Sequence, residues 1–353
     1  MKKNIGLLSM QSVNNYGSYW QARSLKQMLE DIGGYVSFID IAPGRIIVED
    51  TYQKRFSLTK IKRIPYYIYS HKRSKMYDLY KKNAFERKTD EKYDAVVIGS
   101  DEVFNCKQQS PWGFTTQLYG DIDCHNVLSY AASFGYTDFN FIKEKGIGEE
   151  IKAALNNLSN ISVRDENSQA IVNQLTGRDS DIHLDPVLLN MQLIENAEFQ
   201  KKWKMNYILI YSYDFRLKER EYIEEIKKYA KQNNYKIIAA GFYQDWVDKN
   251  IIATPNEILG FFYNAVCVIT DTFHGTIFSV KCHKKFATII RESNKQKLGD
   301  LLKRLDLSEH MVDSPNRIKD IVEISTDYEK TDMLLEYERQ RSISYLKNAL
   351  GVK

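Results

Sequence analysis

A histidine stands at a position where acid catalysis or anion binding is chemically reasonable. His274 lies in the segment Thr270–Thr276, which follows an apolar strand-like run at 265–269 and precedes a stretch that can be helical. A helix amino terminus offers N–H groups to a phosphate or carboxylate, and imidazole can donate a proton near neutral pH. The alternative is a hydrogen-bonded structural histidine. The candidates at this turn are His274, Asp271, Gly275 and Thr276.

An arginine follows another short strand-like run in the same way. Arg164 comes directly after the segment 160–163, and Asp165 and Glu166 follow as suitable first-turn residues of a helix. The planar guanidinium group can grip a carboxylate or phosphate through two parallel hydrogen bonds. The alternative is a simple ion pair between Arg164 and a neighbouring acid.

Three further strand ends carry polar or small residues. Asp101, at the end of the run 93–99, is a candidate general base, a ligand for sugar hydroxyls or a helix cap. The loop after the first strand is not G-x-G-x-x-G, so a dinucleotide fingerprint is absent. The binding candidates at these ends are Ser100, Ser133, Asn15, Tyr16 and Gly17.

The elements around these residues alternate between apolar strands and amphipathic helices. That pattern predicts parallel sheets covered by helices. It occurs once before and once after the polar run 190–204, so we expect two Rossmann-like domains whose sheets face a central cleft. The expected parts are 1–195, 196–327, and a charged helix over 328–353 that packs back on the first domain.

Bulk composition limits the class of protein. The chain has 353 residues, a net charge of +4 and four cysteines without a C-x-x-C pair. We therefore expect a reduced, cytoplasmic protein without a metal site or another cofactor. No apolar run approaches the ~20 residues that a membrane span needs.

A basic insert interrupts the first half. Residues 54–88 hold twelve Lys or Arg, two acids and five tyrosines. The insert is either a solvated helical hairpin or a surface for an anionic glycan or a lipid-linked phosphate at the inner membrane face. Nucleic acid is disfavoured because no recognised nucleic-acid module frames the segment.

The ordered set of strand-end motifs resembles the polysaccharide pyruvyl transferase family. The matching segments follow the family order across most of the chain, from residue 14 to 307. They are 14–17 (NNYG), 99–105 (GSDEVFN), 129–135 (SYAASFG), 162–165 (SVRD), 184–189 (LDPVLL), 270–275 (TDTFHG) and 298–307 (LGDLLKRLDL).

The resemblance implies a glycosyltransferase-B-like fold, phosphoenolpyruvate as donor and a pair of sugar hydroxyls on a polysaccharide or its lipid-linked precursor as acceptor. The product would be a pyruvate ketal, and the resemblance implies that 1–195 is the acceptor side and 196–327 the donor side. His274 and Arg164 match the family's donor-site residues, and Asp101 and the loop Asn15–Gly17 match its cleft motifs.

The sequence also departs from the family pattern. In the family that the chain resembles, better-studied members carry an Arg two residues before the motif His, and this chain has Thr272 there. Asp165 stands where the family usually has a Glu after the strand-end Arg. Arg291 or Lys281 is the expected substitute cation. The alternatives are a nucleotide-sugar-dependent glycosyltransferase and a catalytically degenerate member that binds anionic glycan.

Overall fold

The computed structural model describes residues 2–48, 63–85, 92–108, 112–194 and 205–352, apart from the side chains of 82 and 83. These residues form two compact units. The first contains 2–48, 81–85, 92–190 and 336–352 of the described chain, and the second contains 63–80, 191–194 and 205–335. Both units are discontinuous in sequence, whereas three consecutive parts were expected.

The described elements follow one another as strands and helices. The strands are β1 (Lys3–Leu8), β2 (Gly34–Phe38), β3 (Ala95–Asp101), β4 (Val127–Ala132), β5 (Leu158–Asn160), β6 (Ser162–Val163), β7 (Asp181–Ile182), β8 (Tyr207–Tyr211), β9 (Lys236–Ala240), β10 (Lys249–Ile251), β11 (Cys267–Thr270), β12 (Lys285–Ile289) and β13 (Met311–Val312). The helices are α1 (Tyr16–Asp31), α2 (Ile64–Ala84), α3 (Phe139–Glu144), α4 (Gly148–Asn156), α5 (Glu166–Thr176), α6 (Pro186–Leu189), α7 (Arg220–Asn233), α8 (Pro255–Asn264), α9 (Phe273–Lys281), α10 (Lys295–Arg304), α11 (Ile318–Val322) and α12 (Tyr328–Leu350).

The first unit is built on a parallel sheet in the order β2-β1-β3-β4-β6-β7, with β5 also paired to β4. Leu7, Val97 and Leu128 are register partners across its three central strands, and all three are fully buried. Such continuous apolar runs are typical of strands that are covered on both faces. The carboxyl ends of β1, β3, β4 and β6 consequently meet at one edge of the sheet.

The second unit repeats the plan with a parallel sheet in the order β10-β9-β8-β11-β12-β13. Ala239, Ile210, Ile269 and Ala287 are successive register partners, and all four belong to one buried cluster. The two sheets of parallel strands confirm the expected pair of Rossmann-like domains. In this unit β11 ends immediately before Asp271.

The basic insert contains one long helix rather than a hairpin within its described part. Helix α2 packs one face on the second unit, where Arg73 donates to both carboxylate oxygens of Asp214 at 2.8 and 2.6 Å and to the carbonyl of Gly241. Tyr66 packs against Phe215 with ring centroids 4.9 Å apart. The basic residues at 54, 55, 60, 62, 87 and 88 lie outside the described residues.

The last helix contributes to both units. Tyr328 donates to the carbonyl of Lys284 in the second unit at 2.5 Å. Tyr345 donates to the carbonyl of Ser129 in the first unit at 2.9 Å, and Asn126 donates to the carbonyl of Ala349. Among the helices in the described part of the chain, none is both long and apolar enough to cross a membrane.

Candidate functional site

Helix α1 begins at the edge of the first sheet. Asn15 caps the helix, because its side-chain oxygen accepts the N–H of Gly17 at 2.7 Å. Tyr16 and Gly17 are buried in the first turn. The capping contact orients α1 so that Ser18 and Gln21, one turn apart, reach the end of β3.

Asp101 stands at that strand end in an uncommon backbone conformation. Its φ is 82°, in the left-handed region that residues other than glycine rarely occupy. Its carboxylate accepts the hydroxyl of Ser18 at 2.5 Å and the N–H of Glu102 at 2.8 Å. Strain of this kind concentrates at functional sites, where surrounding contacts enforce it.

Arg164 belongs to a buried polar network at the same edge. Its Nη1 contacts Asp185 at 3.4 Å, and Gln21 donates to Asp185 and, at 3.0 Å, to Ser100. Burial lowers the pKa of the Arg164 guanidinium, but the charges of Asp185 and Asp101 outweigh burial and raise it. Arg164 is therefore a fixed cation, oriented by Asp185.

Ser133 supports the neighbouring helix. It is buried, and its hydroxyl donates to Asp165 at 2.6 Å. Asp165 in turn caps α5 by accepting the N–H of Ser168 at 2.8 Å. Ser133 thus holds in place the helix that starts just after Arg164.

In the second unit, Thr272 caps α9. The N–H of Gly275 donates to the Thr272 hydroxyl at 2.9 Å, and the N–H of Thr276 donates to the Thr272 carbonyl at 3.2 Å. These two amides, expected to bind a ligand anion, have partners within the helix. Gly275 is required here, since a Cβ would lie 2.0 Å from Oγ1 of Thr270.

His274 is the second residue of α9 and is partly buried. Its ring lies 5.5 Å from that of Phe273, nearly perpendicular to it, and 5.9 Å from that of Phe278. The helix macrodipole is positive at this end, where an anion is stabilised. His274 therefore places an imidazole ring at an electropositive helix end.

An ion-pair cluster lies beside this helix end. Arg291 donates to Asp271 at 2.7 Å and to both oxygens of Glu219 at 2.5 and 3.1 Å. Arg216 contacts the same oxygen of Asp271 at 3.2 Å and keeps 26% of its side chain exposed. Hydrogen bonds from Arg291 lower the pKa of Glu219 to about 2.

The expected substitute cations are thus differently placed. Arg291 is tied to two carboxylates, and Lys281 lies at the far end of α9 from Thr272, roughly 13 Å along the helix axis at 1.5 Å per residue. Arg216 is the more accessible cation next to Asp271.

Four residues of these sites were missed by sequence reasoning: Gln21, Asp185, Arg216 and Glu219. Asp185 lies within a quoted motif, and Gln21 is a polar residue on the buried face of α1. Arg216 also follows a strand, but four residues separate it from the end of β8. The sequence therefore did not identify it as a strand-end residue.

Comparison with solved structures supports the class of fold. The chain resembles Arabidopsis thaliana UGT89C1 complexed with UDP-L-rhamnose (TM-score 0.53, 9% identity, 99% of both chains). It also resembles a putative UDP-N-acetylglucosamine 2-epimerase from Listeria monocytogenes (TM-score 0.52, 10% identity, 98% of this chain and 96% of that one). S. aureus MnaA with UDP gives a TM-score of 0.50 at 9% identity, covering 100% of this chain and 98% of that one.

At these identities the likeness concerns the fold alone, which is glycosyltransferase-B-like. No curated protein sequence gave a significant match. The family model described as polysaccharide pyruvyl transferase matches residues 15–293, most of the chain. The protein therefore belongs to the polysaccharide pyruvyl transferase family, as its motifs indicated.

Proposed function

We propose that this protein transfers the enolpyruvyl group of phosphoenolpyruvate to two hydroxyls of a sugar in a polysaccharide or its lipid-linked precursor. The products are a pyruvate ketal and inorganic phosphate. The observation that carries the proposal is the family match over 15–293, which spans both strand-end sites and includes Asp101, Arg164 and His274.

The donor requires anion binding and protonation. The methylene carbon of phosphoenolpyruvate takes up a proton, which makes the neighbouring carbon electrophilic, and His274 is the proposed acid. Arg164 holds a donor carboxylate or phosphate through its planar fork. Its fixed orientation by Asp185 supports this role, because a preorganised cation loses little entropy on binding.

The second unit offers a cation in place of the family arginine that this chain lacks. We assign this role to Arg216, since Arg291 is held by Asp271 and Glu219. Asp271 contacts Nε of Arg216 and so orients its guanidinium, whose side chain remains partly exposed. Arg216 would thereby replace the family arginine that is missing at position 272. Thr272, which stands there instead, caps α9.

The acceptor requires a base. Asp101 is proposed to accept the proton of the attacking sugar hydroxyl, and the serine hydroxyl of Ser18 holds its carboxylate in place. The first hydroxyl attacks the electrophilic carbon, phosphate leaves, and the second hydroxyl closes the ketal.

Variants in a transfer assay test these roles. With phosphoenolpyruvate and a panel of p-nitrophenyl hexosides, mass spectrometry should detect pyruvylated product from the wild-type protein. His274→Ala should lower the rate at least ~100-fold, as expected for loss of a general acid. His125→Ala, which replaces an exposed histidine of the first unit, is the matched control and should keep full activity. Unimpaired His274→Ala would remove the acid role from that residue.

A further inference from the structure

Helix α2 presents apolar side chains to solvent along one face. Ile64, Tyr67, Ile68 and Leu79 keep 51%, 51%, 53% and 62% of their surface exposed. Tyr67, Ile68 and Leu79 follow Ile64 by three, four and fifteen residues, which places all four on the same side of a helix. Single exposed hydrophobic residues are ordinary, but a row of them on one helix face marks an interaction surface. We call these four residues the outer face of α2.

The opposite side of the helix is fixed to the second unit. Tyr69 and Tyr77 are buried, and Tyr69 donates to the carbonyl of Ile251 at 2.8 Å. The half-buried pair between Arg73 and Asp214 adds a bidentate contact. Because these contacts hold the helix by its inner side, the outer face cannot turn inward without breaking them.

Positive charge accompanies the outer face. Lys72 and Lys75 are exposed on this side of the helix, between Ile68 and Leu79. His71 is exposed there as well. Asp78, the one acidic residue within 64–84, is also exposed on this side, next to Leu79. The outer face therefore combines exposed apolar side chains with a small excess of positive charge, which suits contact with an anionic bilayer surface.

We infer that the outer face of α2 docks the protein on an anionic membrane surface. The four apolar side chains enter the boundary between headgroups and acyl chains, while Lys72 and Lys75 meet anionic headgroups. This function goes beyond pyruvyl transfer and does not depend on it.

Charge distinguishes lipid from other occupants. A second copy of the chain would present the same excess of positive charge, so its outer face is not complementary in charge to this one. Nucleic acid would use the lysines but not Ile64, Ile68 and Leu79, because aliphatic side chains offer bases neither stacking nor hydrogen bonds.

Vesicle co-sedimentation of the full-length protein tests the inference. Wild-type protein should bind vesicles of phosphatidylcholine with phosphatidylglycerol, and high salt should weaken this binding. Ile68→Glu should lower the affinity about tenfold or more, since it removes an inserted side chain and adds a repelled charge. Lys72→Gln and Lys75→Gln should each lower it about fivefold.

The matched control is Met333→Glu, which places the same charge at a 75% exposed methionine of α12. This variant should bind like the wild type, and thermal unfolding should show that both glutamate variants are folded. Equal binding by Ile68→Glu and the wild type, or no preference for anionic vesicles, would overturn the inference. A wild-type dimer that Ile68→Glu dissociates in sedimentation equilibrium would instead make the outer face a protein interface.

Discussion

The last residues of β3 are sterically demanding next to the proposed base. Gly99 has a φ of 130°, and a Cβ built there would lie 2.1 Å from the carbonyl oxygen of Tyr130 on β4. Both the conformation and the close approach require glycine. This end of β3 also holds Asp101 at its positive φ beside Ser18.

Replacement of Gly99 should therefore be costly. Gly99→Ala should lower the free energy of unfolding by about 2 kcal/mol or more, because the methyl group meets backbone that cannot move away cheaply. The measurement is chemical denaturation at equilibrium. Gly299→Ala is the control: this helical glycine has no atom within 4 Å of its Cβ position, so alanine should stabilise by up to ~1 kcal/mol. Equal denaturation midpoints for the two variants would contradict the steric requirement for glycine at position 99.

Sequence reasoning found the site residues that lie at or just after the ends of buried strands. Asp101, Arg164 and Asp271 were placed correctly at sheet edges, because the carboxyl ends of parallel strands share one edge. It missed Gln21 and Arg216, which reach those edges from a helix face and from within a loop. Nor could it foresee that Arg291 would be paired with Glu219, because side-chain pairing between distant segments has no local signature.

Among the elements of the second unit, the pair between Glu219 and Arg291 joins the start of α7 to the end of β12, and Asp271 links it to the end of β11. The pKa of Glu219 falls from 4.5 to about 2, first because Arg291 donates hydrogen bonds to it and further through the charge of Arg291, against an opposing effect of burial. A depressed carboxylate pKa means that the pair stabilises the folded state above pH 4.5 and loses this contribution as the pH falls towards 2.

Acid unfolding of Glu219→Gln should show this linkage. Relative to the wild type, the variant should be less stable at about pH 6, and the difference should shrink at about pH 3 as Glu219 protonates in the unfolded wild-type chain. Urea unfolding at the two pH values measures it. Glu221→Gln, on the same helix turn, is a suitable control. A constant difference at both pH values would mean that the ion pair does not account for the effect.

Long elements were predictable and short ones were not. The runs 93–99 and 265–269 became β3 and β11 within about two residues, and the charged helix expected over 328–353 spans Tyr328–Leu350. The edge strands β7, β10 and β13 were not predicted, since two or three residues carry no apolar periodicity. The inner side of α2 likewise depends on contacts with β8 and β9 loops that no local pattern reveals.

For the whole molecule, two parallel sheets and an ordered set of family motifs carry the assignment. Structural likeness to proteins solved with UDP or UDP-L-rhamnose reflects the shared fold at about 9% identity. The donor is therefore the property that decides between pyruvyl transfer and nucleotide-sugar chemistry.

Thermal unfolding with candidate donors tests that property most directly, because it needs no acceptor. A ligand at about 100 times its dissociation constant stabilises a protein by roughly 2.7 kcal/mol, an easily measured shift. We predict a shift with phosphoenolpyruvate, none with UDP or UDP-sugars, and loss of the phosphoenolpyruvate shift in Arg164→Ala but not in Arg220→Ala, an exposed arginine of α7. A shift with UDP-sugars and none with phosphoenolpyruvate would contradict the proposed function and make the protein a nucleotide-sugar-binding member of its fold.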